Sequence, residues 1–218
     1  MYLIKNILIF LTLVFSSIAC SESSDLPKTQ LAQIDAMLDE DFVKKDINLA
    51  YAKYSEEAKQ GDPNAQLSLG MIYKRGSYGP ERDFTKAVDW FRKSAQSGNP
   101  YAQYNLGLAY LFGQGVDENF EESYAWFMKA AMQGHANSQY EIASMYRAGE
   151  GVAKNEIKAM EWMTKAADQE MAIAAYELGE MYEDGSAGAV NLKLAKKWYK
   201  KAADYGLSWG ADKLVELQ

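Results

Sequence analysis

Residues 102–135 read AQYNLGLAYLFGQGVDENFEESYAWFMKAAMQGH, and closely similar text recurs along most of the chain. Four tryptophans are spaced 36 residues apart, at Trp90, Trp126, Trp162 and Trp198. Each begins a variant of one short motif, written WFRKSA, WFMKAA, WMTKAA and WYKKAA. Three tyrosines keep the same spacing, at Tyr110, Tyr146 and Tyr182. Several residue types that share one period indicate a tandem repeat, in which each unit folds in the same way.

Each unit reads as two helices separated by a short loop that contains glycine. In the first helix, Ala65, Leu69 and Tyr73 recur at the spacing of one helical face, and the pattern stops at Gly76. The second helix follows an Asp or Asn whose side chain can accept hydrogen bonds from the free amides of the first turn. These predicted N-caps are Asp83, Asn119, Asn155 and Asn191. Most second helices are followed by glycine, which adopts the left-handed conformation of a helix end most easily.

The repeat predicts an all-α fold, a right-handed α-solenoid of antiparallel helix pairs with a 36-residue period. A unit of this size cannot bury its apolar face alone, so neighbouring units must stack. Four full pairs are expected near residues 63–97, 99–133, 135–169 and 171–205. Flanking helices near 46–60 and 207–217 supply half-repeats, so we assign residues 46–218 to the repeat domain and 29–45 to an N-terminal capping helix.

The pattern AQYNLGxxYxxGxGV followed by WFxKAAxxGHA resembles the Sel-one-like repeat, a relative of the tetratricopeptide repeat. It reads here at residues 102–116 and 126–136, and the resemblance covers about residues 46–218. Departures occur at Ala143, Glu170 and Ala187, where the pattern has glycine. The resemblance implies a superhelix like that of the tetratricopeptide repeat, which serves as an adaptor or scaffold for other proteins and has no common catalytic activity.

Composition limits the remaining classes of function. The 218 residues are 48% hydrophobic and carry a net charge of −7, which disfavours a nucleic-acid binder. With one Cys and one His, the chain has neither a disulfide framework nor a multi-histidine metal centre. The sequence also lacks the GxSxG, HExxH, P-loop and GxGxxG motifs. We therefore predict no enzymatic activity, no cofactor, no metal and no small-molecule substrate; His135 is expected to begin a helix, and the tryptophans to pack between helices.

The first 19 residues have the pattern of a signal peptide. Lys5 precedes an apolar run from Ile7 to Phe15 that is too short to span a hydrocarbon core of about 30 Å. The small residues before Cys20 resemble a bacterial lipobox, in which the cysteine becomes lipidated; the alternative is ordinary cleavage after Ala19. Residues 20–28 would then be the anchor and a polar tether. By the same resemblance, Ser21 favours the outer over the inner membrane, on the periplasmic side of the cell envelope.

One stripe of the first helices is not needed for the core. In related solenoids the first helices line the concave surface, and aromatic side chains are effective anchors of protein interfaces. The predicted residues of a partner-binding groove are Tyr101, Tyr104, Leu108, Phe112, Tyr140, Glu141, Tyr176, Glu177, Glu180 and Trp209. Tyr104, Tyr140 and Tyr176 recur at the repeat period, so the alternative for these three is a framework role between units.

The leading hypothesis is an envelope-anchored scaffold that binds a protein or peptide segment in this groove. A second hypothesis is an enzyme-like role on peptidoglycan or β-lactams, which the resemblance to a few cysteine-rich relatives suggests. The missing nucleophile constellation and the missing disulfides count against that role. A third hypothesis is an inhibitor or immunity-type partner of one cognate protein.

The predicted anchor is tested by Cys20→Ser. If Cys20 carries the lipid, the variant should move from the membrane fraction to the soluble periplasmic fraction, because the remaining tether is polar. Fractionation followed by immunoblotting measures the shift. Membrane association that is unchanged in the variant would rule out lipidation at this residue.

Overall fold

The computed structural model describes residues 40–76, 80–186 and 188–217, and all regular structure within these ranges is helical. Ten helices are present there. They are α1 (Glu40–Lys59), α2 (Pro63–Arg75), α3 (Phe84–Gln96), α4 (Pro100–Leu111), α5 (Phe120–Met132), α6 (Ala136–Ala148), α7 (Glu156–Ala167), α8 (Ala172–Asp184), α9 (Leu192–Asp204) and α10 (Ser208–Glu216). Each helix from α2 to α9 packs against the next one along the chain. The predicted solenoid of helix pairs is confirmed, with α2/α3, α4/α5, α6/α7 and α8/α9 as its four units.

The flanking helices differ in how closely they match the prediction. The closing helix α10 lies within the predicted range, whereas α1 runs without a break from Glu40 to Lys59, so the predicted boundary near Lys45 does not interrupt it. The predicted signal peptide, Cys20 and the tether lie outside the described residues, as does most of the predicted capping helix. None of the helices that the structure describes combines the length and apolarity needed to cross a membrane.

Polar caps define where the second helices begin, as the sequence predicts. The side chains of the four N-caps each accept a hydrogen bond from the backbone amide three residues later; these N-caps are Asp83, Asn119, Asn155 and Asn191. Their own amides donate to the carbonyl of the repeated tyrosine at the end of the preceding helix, as Asn119 does to Tyr110 at 2.9 Å. Each loop is therefore closed at both ends by local hydrogen bonds, which determines the angle at which the second helix returns.

A residue with a positive φ angle lies two or three positions after the end of each second helix. Gly134 has φ 88° after α5, and the equivalent Glu170 after α7 has φ 63°. A non-glycine residue in this conformation costs about 1–2 kcal/mol because its Cβ approaches the backbone. Glu170, a departure from the repeat pattern, thus keeps the backbone geometry of the repeat at an energetic cost.

In three of the four units a buried ring on the second helix packs directly on a glycine of the first. Phe127 is fully buried, and a Cβ added to Gly107 would lie 2.6 Å from its ring atoms. Phe91 on Gly70 and Tyr199 on Gly179 repeat this contact. In the third unit, Ala143 replaces the glycine and Met163 replaces the ring, and both are fully buried in one cluster. The flexible methionine leaves room for the extra methyl group, which explains why the departure at Ala143 does not disrupt the fold.

Three of the four repeated tryptophans, Trp90, Trp126 and Trp162, are only partly buried, whereas Trp198 is buried. The ammonium group of Lys129 lies over the Trp126 ring, 3.6 Å from its centroid. The same cation–π pair occurs in every unit. The lysine of the WFxKAA motif therefore shields the tryptophan from water, and the fully buried framework residue is the one that follows the tryptophan.

Buried glutamines connect successive units. The side-chain amides of Gln66, Gln103 and Gln139 each donate to a carbonyl at the end of the preceding second helix, at 3.2 Å. The carbonyl oxygen of Gln103 accepts from Gln133 at 2.8 Å. Ser97 stands in the position of Gln133 in the first unit, and there Gln66 Oε1 has no hydrogen-bond partner among the described residues. This polar connection is thus complete in the central units and incomplete at the first.

The ring-on-glycine contact predicts a strong coupling between two positions. Gly107→Ala should destabilise the protein by about 1–3 kcal/mol, because the added methyl group meets the Phe127 ring. Combining it with Phe127→Met should recover at least about 1 kcal/mol of that loss, as in the Ala143–Met163 pair. Chemical denaturation of the wild type, both single variants and the double variant measures the coupling. Additive free energies would contradict the assigned contact.

Candidate functional site

Five positions of each first helix form one surface, which we call the first-helix face. On α4 they are Tyr101, Tyr104, Asn105, Leu108 and Phe112, spaced three or four residues apart as expected for one side of a helix. Equivalent positions on the following first helices are Asn137, Tyr140, Glu141, Ser144 and Ala148 on α6; Ile173, Tyr176, Glu177, Glu180 and Asp184 on α8; and Trp209, Asp212, Lys213 and Glu216 on α10. All ten predicted groove residues belong to this face.

Three large aromatic side chains of the face are exposed to solvent. Tyr101 is 60% exposed, Phe112 62% and Trp209 56%. Tyr101 lies at the first turn of α4 and Phe112 at its end, so α4 presents an aromatic side chain at each end. The fold leaves the apolar surface of these three side chains exposed to water. An aromatic side chain of this kind contributes much binding free energy when a partner buries it.

The recurring tyrosines are instead shared between units. Tyr104 packs against Phe127 of its own unit and His135 of the next, with ring centroids 5.6 and 4.9 Å apart. The Tyr140 hydroxyl donates to Glu177 Oε1 on the next first helix at 2.5 Å. Tyr176 contacts Tyr199 of its own unit and Trp209 on α10, with ring centroids 5.4 and 6.0 Å apart. All three tyrosines are half-buried, so they contribute to the framework and offer only part of their surface to a partner.

Leu108 also belongs partly to the core. It is half-buried and packs against the cluster that contains Phe127 and Ile142. A substitution at Leu108 would therefore disturb packing as well as the face. The exposed aromatic residues Tyr101, Phe112 and Trp209 are the better markers of the surface.

The carboxylates of the face are not equivalent. Glu177 forms an ion pair with Arg147, whose Nη1 donates to Oε2 at 2.6 Å. Glu141 and Glu180 form no ion pair among the residues that the structure describes. Burial, followed by the negative charge of Glu177, raises the pKa of Glu141, and the same two causes raise the pKa of Glu180. Both pKa shifts thus have the same two causes, burial and the neighbouring charge of Glu177.

Two basic residues of this region were missed from the sequence. Arg147 lies off the stripe that the helical spacing defines, so nothing in the repeat pattern singles it out. Lys213 occupies the same repeat position as Glu141 and Glu177, and it lies 3.3 Å from Glu216 and 3.6 Å from Glu183. Comparison of equivalent positions along the repeat would have identified Lys213 but not Arg147.

His135 has a structural role. It is the N-cap of α6, where Nδ1 accepts from the Ser138 amide at 3.2 Å. The rings of Tyr101 and Tyr104 flank it, with centroids at 5.0 and 4.9 Å. Burial lowers the pKa of His135 and so favours the neutral ring that this cap requires. The imidazole therefore holds the start of a helix against the preceding unit, as the sequence predicts.

Stacked helix pairs and an aromatic face define an α-helical repeat protein. Four consecutive segments, 63–99, 100–135, 136–171 and 172–206, each match the Sel1 repeat. The chain therefore belongs to the Sel1 repeat family, which the sequence resemblance already indicated.

Two solved structures, from Escherichia coli and Oxalobacter formigenes, agree with this assignment. A protective antigen of uropathogenic Escherichia coli, c5321, has an SLR fold and is 33% identical with a TM-score of 0.73; the match covers 75% of this chain and 35% of the antigen. A Sel1 repeat protein from Oxalobacter formigenes is 31% identical with a TM-score of 0.68, over 72% of this chain and 62% of that protein. The immunity protein Pa5087 from Pseudomonas aeruginosa is 25% identical with a TM-score of 0.48, over 74% of this chain and 59% of that protein. No curated protein matches the sequence.

The raised pKa of Glu141 predicts a pH-dependent gain from Glu141→Gln. A carboxyl whose pKa is higher in the folded state destabilises the fold as the pH rises, because the unfolded chain ionises first. The variant should therefore be more stable than the wild type at neutral pH, and the difference should shrink towards pH ~4.

Urea denaturation at several pH values measures this difference. Glu161→Gln on α7 is the matched control, since Glu161 is exposed. A gap between Glu141→Gln and the wild type that does not change with pH, or that grows towards acidic pH, would contradict the assigned cause.

Proposed function

We propose that this protein is an envelope-anchored scaffold that binds a protein or peptide segment on its first-helix face. Sel1 repeat proteins are protein–protein interaction scaffolds and are typically non-catalytic. The anchor is the predicted lipidated Cys20, and the tether of residues 20–28 carries the repeat domain on the periplasmic side, with the outer membrane favoured. The parts that are specific to this chain are the face used and the chemistry of its partner.

The observation that carries the proposal is a departure from the repeat. At the position of Phe112 the other first helices have Arg75, Ala148 and Asp184, so the stacking of units does not require an aromatic ring there. The position of Tyr101 likewise holds Asn137 in the next unit. The fold therefore tolerates polar residues where this chain exposes large rings, and binding gives those rings a role.

Charge indicates the character of the partner. On α6 and α8 the face carries Glu141 and Glu180, which form no ion pairs among the described residues. They lie next to Glu177, which is paired with Arg147. A basic side chain from a partner would reduce the repulsion among these carboxylates and could also contact the nearby Tyr176 ring. The proposed partner segment thus combines apolar anchors for the exposed rings with Lys or Arg.

His135 gives no support to a catalytic alternative. Its Nδ1 is engaged by the helix that it caps, and its contacts are two tyrosine rings. A general base needs a nucleophile within hydrogen-bond reach and a group that orients the ring. The Ser138 hydroxyl lies 2.9 Å from Nδ1, but Ser138 is fully buried and belongs to the same cap.

The proposal is tested with the combined variant Tyr101→Ser, Phe112→Ser and Trp209→Ser. It should lose at least about 2 kcal/mol of partner-binding free energy, because exposed aromatic anchors usually dominate an interface. Its helical content should remain that of the wild type, since all three side chains are exposed. The wild type and the variant are each crosslinked in membranes, and the partner is recovered with them. The recovered partner is then titrated against both proteins to measure its affinity.

The matched control replaces three exposed apolar residues on other helices, namely Leu49→Ser, Met132→Ser and Ile157→Ser. This control should bind as the wild type does. If the control loses the partner while the variant of the first-helix face keeps it, the binding surface lies elsewhere. A photoreactive residue at position 112, but not at 132, should give a discrete crosslink.

A further inference from the structure

The helix α9 differs in charge from the rest of the protein. Its 13 residues, LKLAKKWYKKAAD, contain five lysines, one aspartate and no arginine, whereas the whole chain has a net charge of −7. Four of the lysines, Lys193, Lys196, Lys197 and Lys200, follow the i, i+3, i+4, i+7 spacing of one helical side. A strongly basic surface is thus concentrated on one second helix.

These four lysines are not part of the repeat framework. The equivalent positions on α7 hold Ile157, Met160, Glu161 and Thr164, and those on α5 hold Glu121, Tyr124, Ala125 and Met128. Lys201 behaves differently, because it recurs in every unit as the lysine that covers the tryptophan. Stacking therefore explains Lys201. At the positions of Lys196 and Lys200 other units place packing residues such as Tyr124, Met128 and Met160, whereas α9, the last second helix of the described residues, places lysines there.

Few acidic groups neutralise the four lysines. Lys200 lies 3.5 Å from Asp204, and both side chains are largely exposed. Within the ranges that the structure describes, Lys193, Lys196 and Lys197 form no salt bridge. An exposed pair such as Lys200–Asp204 contributes little and is easily exchanged for another partner.

Apolar side chains lie at the start of the same helix. Val190 is 59% exposed and Leu192 48% exposed, on either side of the N-cap Asn191. We call Val190, Leu192 and the four lysines the α9 lysine face. It combines two apolar tips with a basic helical side, which is the composition of surfaces that lie in the interfacial layer of a bilayer.

We propose that the α9 lysine face docks on a membrane surface rich in anionic phospholipid. Protein interfaces are depleted in lysine and enriched in arginine and aromatic residues, and this face has neither of the enriched types. Lysine stems can lie along the apolar layer while their ammonium groups reach the headgroups. Each lysine near an anionic surface adds to the attraction, and Val190 and Leu192 add apolar burial.

This surface is separate from the proposed partner site. The α9 lysine face is on a second helix, whereas the exposed aromatic residues are on first helices and their ends. Docking at α9 also does not depend on a lipid at Cys20. The two contacts together would hold the repeat domain against the membrane in one orientation and leave Tyr101 and Phe112 free for a partner.

The test uses the chain from residue 20 onwards, carrying Cys20→Ser, so that neither the predicted signal peptide nor a lipid at this residue can bind the vesicles. Its binding is measured by flotation with vesicles of phosphatidylcholine, alone or mixed with an equal part of phosphatidylglycerol. We expect binding to the mixed vesicles to be at least ~10-fold tighter than to neutral vesicles at low salt, and to weaken as salt screens the lysines. Equal binding to both vesicle types would overturn the proposal.

Two sets of substitutions locate the contact. Lys193→Gln, Lys196→Gln, Lys197→Gln and Lys200→Gln together should reduce binding to the mixed vesicles at least ~10-fold. The matched control removes the same charge from other exposed lysines through Lys53→Gln, Lys59→Gln, Lys154→Gln and Lys158→Gln, and it should retain most of the binding. If both sets lose the same amount, net charge and not the α9 lysine face determines binding, and the proposal fails.

A third variant separates a membrane from an acidic protein. Val190→Ser with Leu192→Ser should weaken binding to the mixed vesicles while leaving any binding to polyglutamate unchanged. Membrane docking would be overturned by two results together: the variant binds the vesicles as before, and the unsubstituted chain binds polyglutamate at least as tightly as the mixed vesicles. The face would then be assigned to an acidic protein. Circular dichroism and thermal melts confirm that every variant remains folded.

Discussion

The contact between a buried ring and a glycine determines how closely the two helices of a unit approach. Phe127 fills the space next to Gly107 where any side chain would collide with the ring, and two other units repeat the contact. The third unit reaches the same packing with Ala143 and Met163, because a flexible side chain accommodates the additional methyl group. The two helices of a unit can pack this closely only if the residues at the glycine and ring positions are complementary in size. These two positions therefore admit few residue types in any unit.

The other recurring residues support this packing locally. The lysine of each WFxKAA motif covers a tryptophan, and buried glutamines join the end of one unit to the start of the next. Residues with these roles recur because every unit has the same geometry to satisfy. Where a residue departs from its repeat position and is also exposed, the fold does not account for it. Phe112, Lys193, Lys197 and Lys200 are departures of this kind, and with the half-buried Lys196 they carry the two proposals.

The two surfaces differ in the chemistry that they offer. The first-helix face presents large rings beside partly buried carboxylates, which suits a protein segment with apolar and basic side chains. The α9 lysine face presents lysines beside two aliphatic side chains, which suits anionic headgroups. A scaffold that uses both would bring its partner to a membrane with a defined orientation.

The sequence by itself determined the elements of this protein. Helix pairs, N-caps and the glycines after second helices follow from hydrogen bonds and spacings within a few residues, so Asn119 and Gly134 could be assigned without a structure. Only the tertiary structure decided which side chains of the stripe are exposed. Trp126 and Phe127 are adjacent and both aromatic, yet the neighbouring helices bury only the second completely. The pairing of Glu177 with Arg147 likewise joins residues 30 apart, and such distances depend on how units stack and not on local pattern.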